Sequence, residues 1–173
     1  MAIYKIYNFA SPTTAAPTLI TTGTAIKTML QVQPSATATA RIIEWGYWLD
    51  SSAAAASSKI ELIETDVAAT VTAHVTAGII KYDAAAVMGG DPVTNLIQVG
   101  TAATGYTATA EGTTTVSRLF DLSIATTGTT FAVGQWVQMP LGREPVLQVS
   151  KFARIRVTFA TAVLMACYML VEV

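Results

Sequence analysis

Apolar and polar residues alternate with a period of two over much of the chain. The clearest case is residues 153–159, where Ile155, Val157 and Phe159 fall on one side and Arg154, Arg156 and Thr158 on the other. That spacing predicts a strand with one buried pleat face. The same reading predicts strands at 2–9, 25–33, 40–50, 59–65, 131–139 and 146–149. Within 40–50, Ile43, Trp45, Tyr47 and Leu49 share one face; within 59–65, Ile60 and Leu62 oppose Glu61 and Ile63. From 116 onward Val116, Phe120, Leu122 and Ile124 form another row, with Arg118 and Leu119 breaking the alternation. Residues 163–173 differ, being apolar on both faces until Glu172. Such a strand belongs in the centre of a sheet pressed between layers, or at a subunit interface.

Helical periodicity is confined to Asp66–Gly78. Asp66 is a good N-cap, Val67, Val71, His74 and Val75 recur at helical spacing, and Gly78 suits a C-terminal cap. Thr70–Thr76 also alternates as a strand would, but a short helix is the favoured reading there. Between the strands lie Ser11–Pro17, read as an extended linker, and Ser51–Ser58, read as a loop of small residues. Residues 82–114 form a long excursion holding Gly89, Gly90, Asp91 and Pro92. The pattern predicts an all-β antiparallel β-sandwich of jelly-roll type with at most one short helix. Residues 1–17 would form an N-terminal strand and arm, and 18–173 the sandwich domain. No internal repeat of fixed period is present, which argues against a propeller or solenoid.

Composition sharpens this picture. The 173 residues are 52% apolar and only 12% charged, which excludes intrinsic disorder. A net charge of −1 with scattered Lys and Arg leaves no basic footprint for nucleic acid. Thr and Ala together supply close to a third of the chain, and β-branched Thr keeps a pleated surface wet without charge. The longest apolar run, Ala162–Val171, has about half the length needed to span a bilayer. The N-terminus lacks the unbroken apolar stretch of a signal peptide, so synthesis and release in a cytoplasm without a membrane anchor are expected.

Candidate chemistry is sparse. Cys167 is the only cysteine and lies in an apolar stretch, where it reads as a small buried hydrophobe. His74 is the only histidine, so no triad or histidine-rich metal site can form within the chain; with Glu64 and Asp66 it would make at most a weak site, and it reads better as a surface imidazole. Glu61 and Glu64 fall on opposite strand faces, as do Arg41 and Glu44, and a buried Glu44 would need a donor from another strand. Trp45, Tyr47 and Trp48 could stack sugar rings, although alternation separates Trp48 from the other two and places Trp45 and Tyr47 in the core. Gly46 between them marks a bulge or a close backbone approach. No catalytic, cofactor or metal residue is assigned, and an enzyme is the least favoured reading.

Three pieces of the chain carry a resemblance. They are the opening Ala2–Phe9, the stretch Glu61–Asp66 (Glu-Leu-Ile-Glu-Thr-Asp), and the corner Pro140-Leu141-Gly142-Arg143-Glu144, expected to turn between two strands with Arg143 and Glu144 at its tip. Together they resemble small β-rich proteins of tailed-phage and prophage structural modules, some of which are capsid decoration (cement) proteins. The resemblance implies a virion component that binds the major capsid protein or other virion proteins, with a trimer as the favoured homo-oligomer. It carries over no site residues. A tail or fibre component, a self-assembling filament subunit and a carbohydrate-binding module are the alternatives.

Overall fold

The computed structural model describes residues 2–10, 15–50, 56–82, 96–112, 116–128 and 132–173. Their strands are β1 (Ile3–Tyr7), β2 (Ile20–Thr21), β3 (Lys27–Pro34), β4 (Ala40–Leu49), β5 (Ala56–Thr65), β6 (Thr70–Ala73), β7 (Ile80–Lys81), β8 (Ile97–Gln98), β9 (Gly105–Ala110), β10 (Val116–Thr127), β11 (Val133–Gln138), β12 (Val146–Leu147), β13 (Phe152–Phe159) and β14 (Leu164–Glu172). They form two antiparallel sheets packed as a sandwich. The first runs β11-β4-β14-β1-β7, with β12 also on β4 and β2 on β14. The second runs β10-β5-β13-β3-β9-β6, with β8 on β3.

The core lies between the inner faces. Tyr4, Ile6, Trp45, Tyr47, Leu49, Met165, Cys167 and Met169 enter it from the first sheet, and Leu30, Val32, Ile60, Leu62, Ile155, Val157 and Phe159 from the second. The two-sided apolar strand β14 sits between β4 and β1 in mid-sheet. Its second face is covered largely by the chain itself, since Ala166, Tyr168 and Leu170 are buried. At the end of β1, buried Asn8 extends the ladder with its side chain, donating Nδ2–H to Met165 O at 3.1 Å and accepting Cys167 N–H at 2.8 Å. The N-terminal strand is therefore tied into the same chain's sheet.

Several expectations change. Asp66–Gly78 is not a helix: Thr70–Ala73 is β6, and one 3-10 turn follows at Thr76–Gly78. The β-branched residues there prefer the pleat, and β9 supplies a partner strand. Ala56–Ser58 belongs to β5 rather than to a loop, while 51–55 lies outside the described residues. In β4 the register shifts between Ile42 and Glu44. Ile42, not Ile43, is buried, and Arg41 and Glu44 come onto the same outer face. In β10, Leu122 and Ile124 point outward and are exposed, while Ser123, Ala125 and Thr127 face inward. The excursion over 82–114 contributes β8 and β9, and β9 is a full member of the second sheet; Gly89–Pro92 lies outside the described residues.

The corner at Pro140–Glu144 also differs from expectation. Both β11 and β12 run antiparallel to β4, one after the other along the same edge. Met139 N–H bonds Ile43 O at 2.8 Å, and Ile42 N–H bonds Pro145 O at 3.0 Å. The segment between them is a protrusion from an edge, closed by Arg143 N–H to Pro140 O at 2.9 Å with Gly142 at φ +76°. Its tip is Leu141, which is 95% exposed.

Candidate functional site

The titratable residues singled out from the sequence go to separate partners. Glu61 pairs with Arg156 directly across β5 and β13, at 3.0 Å. Glu64, buried on the inner face, is gripped by Arg118, which also donates to Val146 O at 2.7 Å and so ties the two sheets together. Asp66 pairs with Lys151. Glu44 accepts the Tyr168 hydroxyl, the donor from another strand that its position demanded. Among the described residues no group of three or more His, Cys, Asp or Glu could hold a metal ion.

His74 is buried, contrary to the surface imidazole expected. Its Nε2–H donates to Tyr7 O at 2.7 Å, and its ring lies 4.8 Å from that of Tyr106. It thus joins the end of β1 in the first sheet to β9 in the second. Burial lowers its pKa, and the Tyr7 carbonyl opposes that only in part. Above pH about 6.5 the imidazole is neutral in the folded and unfolded chain alike. Below that the unfolded chain takes up the proton first, so stability falls with pH until the folded pKa is passed, by at most about 1.4 kcal/mol per pH unit. Urea titrations at pH 7.5 and pH 5 should therefore show a smaller pH effect in His74→Asn than in the native chain. Equal effects would show that His74 contributes nothing to the dependence.

Cys167 is fully buried, and burial pushes its thiol well above the ordinary value, which makes it inert. Trp45 and Tyr47 are core residues, as expected, each with its polar atom satisfied at the sandwich edge. Trp45 Nε1–H donates to Asp121 Oδ2 at 3.0 Å, and the Tyr47 hydroxyl meets Ser123 Oγ at 2.5 Å and Gln135 Oε1 at 3.0 Å.

The outer face of the first sheet carries an aromatic platform. Trp136, Gly46, Tyr168 and Tyr7 stand in one row across β11, β4, β14 and β1. Trp48 stacks on Tyr168 at 5.4 Å and 21°, and Phe9 on Tyr7 at 5.0 Å and 20°. Lys5 Nζ lies 4.0 Å over the Tyr168 ring. Glycines make this flat arrangement possible. A Cβ at Gly46 would come within 2.7 Å of Tyr168 Cε1, and one at Gly134 within 2.5 Å of Trp48 Cδ1. The rings lie where those side chains would stand, a cross-strand aromatic–glycine pairing that also stabilises the sheet. Trp136 remains 67% exposed. Burial, and then the bond to Glu44, raise the Tyr168 phenol above its ordinary value, so it is a neutral donor.

A second surface is the β10 end of the second sheet. No described strand pairs with the far side of β10. Its outward residues Leu119, Leu122 and Ile124 are exposed apolar side chains, Ile124 to 67%. Long, flat, apolar edges template pairing with other chains unless they are protected.

Comparisons with family models, with curated proteins and with solved structures gave no match.

The Trp48 half of the platform was signalled by the Trp45–Trp48 cluster. Trp136 and Tyr168 were not, because only the strand register brings three distant segments into one row.

Proposed function

We propose that the chain is a non-enzymatic structural component of a virion, a capsid decoration protein that self-associates and stabilises a phage head. The observation that carries this is the strand order. The four strands β1-β14-β4-β11 face β3-β13-β5-β10, and the chain visits the two sheets in the sequence β1, β3, β4, β5, β10, β11, β13, β14. This order supports a jelly-roll reading of the sandwich, with hairpin partners on opposing sheets, and jelly rolls serve in viral capsids and in lectins. Because the fold is shared by those two classes, the inference from it is one of analogy, and the surfaces must separate them. The apolar edge at β10 favours assembly, since a free subunit gains nothing by exposing it. The test is co-sedimentation of the purified chain with undecorated capsids, together with the temperature at which those capsids release their contents. Binding that raises this temperature is expected. Absence of binding would overturn the capsid role, and fibres or tail-only binding in negative-stain micrographs would assign the chain to a filament or a tail.

The aromatic platform favours a second reading, a carbohydrate-binding module. Exposed indoles offer an apolar face against which a pyranose ring stacks, and Trp48 lies flat over Gly134. Titration with oligosaccharides should then change tryptophan fluorescence in the native chain and not in the double variant Trp48→Ala/Trp136→Ala. Unchanged fluorescence across a panel of hexose and amino-sugar oligomers would remove this reading.

A further inference from the structure

The outer face of the second sheet carries a cleft of about 500 Å³ over β5 and β13, lined in part by Ile26. That volume falls within the range of small-ligand pockets. Two cross-strand pairs line it, Lys59 opposite Thr158 and Glu61 opposite Arg156. The alternation that sends Ile60, Val157 and Phe159 into the core turns these four outward. Their charges do not balance. The Arg156 side chain is 14% exposed and is held by Glu61, which accepts its Nε–H at 3.0 Å. Its two Nη groups bond no described residue, yet they are not sealed from solvent. The guanidinium is thus fixed through Nε and keeps its Nη fork free. Lys59 is exposed and has no ion pair among the described residues. Its β10 neighbour on that face is Ile124, which offers no acceptor. Arg154, the next outward position of β13, already holds Glu111. Three cations therefore share two carboxylates, and the positive charge left over stands in the cleft.

We infer that this cleft binds a small organic carboxylate, its two oxygens shared between the Arg156 Nη groups and Lys59 Nζ. A guanidinium fork matches the two oxygens of such a group. Lys59 and Arg156 are diagonal neighbours across β5 and β13, about 7–8 Å apart at the backbone, so both long side chains reach one ligand group. The Thr158 hydroxyl stands beside them to meet a ligand hydroxyl, and Ile26, 54% exposed, offers an apolar wall for the ligand's body. Glu61 has two effects here. It holds the guanidinium in place before the ligand arrives, which lowers the ordering cost of binding. It also repels a second negative charge, so a monoanionic carboxylate is favoured over phosphate.

Titration of the nitrogen-15-labelled chain with glucuronate, followed by NMR, tests the site. Saturable shifts are expected at the Arg156 Nε–H and at the backbone amides of Lys59 and Thr158. Glucose, which has the same ring without the charge, should leave those signals in place, and inorganic phosphate should bind more weakly than glucuronate. Lys59→Gln should weaken glucuronate by about tenfold, the loss of one charge-assisted bond, with an unchanged circular dichroism spectrum because the side chain is exposed. Arg156→Lys keeps the charge and an amine for Glu61 but removes the fork, and should weaken binding at least as much. Arg143→Gln, which removes an exposed cation from the protrusion of the first sheet, should leave the affinity unchanged. Absence of shifts at these three residues, equal shifts with glucose, tighter binding of phosphate, or an undiminished affinity in Lys59→Gln would overturn the assignment. Binding at the aromatic platform is read separately in the same spectra, through the indole signals of Trp48 and Trp136.

Discussion

Glu111→Ala is expected to lower stability by about 3–5 kcal/mol, the loss typical when one partner of a buried ion pair is removed. The reason is Arg154, which sequence alternation places on the outside of β13 and which the fold nevertheless buries completely. The Glu111 carboxylate pairs with its Nη2 and also accepts Thr28 N–H at 2.5 Å and the Thr28 hydroxyl at 2.7 Å. Arg154 donates in addition to Thr28 Oγ1 at 2.9 Å through Nε and to Glu111 O at 3.3 Å. Burial lowers the Arg154 pKa, with Glu111 opposing it; the guanidinium stays charged, and removing the carboxylate strands it in the interior. The variant Arg154→Met should be milder, because Glu111 keeps Thr28 and some solvent contact. The double variant should be more stable than Glu111→Ala alone, and urea titrations of all four proteins would measure the coupling. A loss below about 1 kcal/mol in Glu111→Ala would mean that water reaches the guanidinium.

Phe159→Ala should also cost about 3–5 kcal/mol, here from lost transfer energy and an unfilled cavity. Phe159 ends the inward row of β13 and belongs to the core cluster between the sheets. For a chain of this size that corresponds to a fall in Tm of roughly 6–20 °C. Ile124→Ala on the solvent side of β10, measured on the monomer, should change stability by no more than about 0.5 kcal/mol. A Phe159 effect below about 1 kcal/mol would place the ring outside the core.

These two residues mark what the sequence makes legible. The row Ile155, Val157, Phe159 is a clean alternation on a regular strand, and the structure places it as read. Regular alternation likewise brought Trp45 and Tyr47 into the core and β14 into mid-sheet. Irregularity defeated the reading elsewhere. One extra residue at Ile43 reverses the facing of everything before it in β4, and no composition signal marks a bulge of that kind. In β10 the row of larger side chains carries no sign of which way it faces, and Leu122 and Ile124 turn outward because Trp45 and Tyr47 approach from the opposite sheet with polar atoms that need Asp121 and Ser123 beneath them. Arg154 shows the same limit from the other side, since a charge on an outward position says nothing of a neighbour folded over it. Asp66–Gly78 carried both periods at once, and the partner strand β9 chose between them. The aromatic platform depends wholly on register, which links positions 7, 46, 136 and 168 only after the strands have paired.

The protrusion at Pro140–Glu144 has a practical consequence. Its two ends are pinned to β4 by the bonds at Met139 and Pro145, and its tip at Leu141 touches little else. Extra residues placed between Leu141 and Gly142 would lengthen a surface loop without moving the strand on either side, and the closure entropy of a loop grows only slowly with length. A foreign epitope grafted there would be held outward on a rigid sheet edge, and a particle coated with this chain would then display one copy of the graft per subunit.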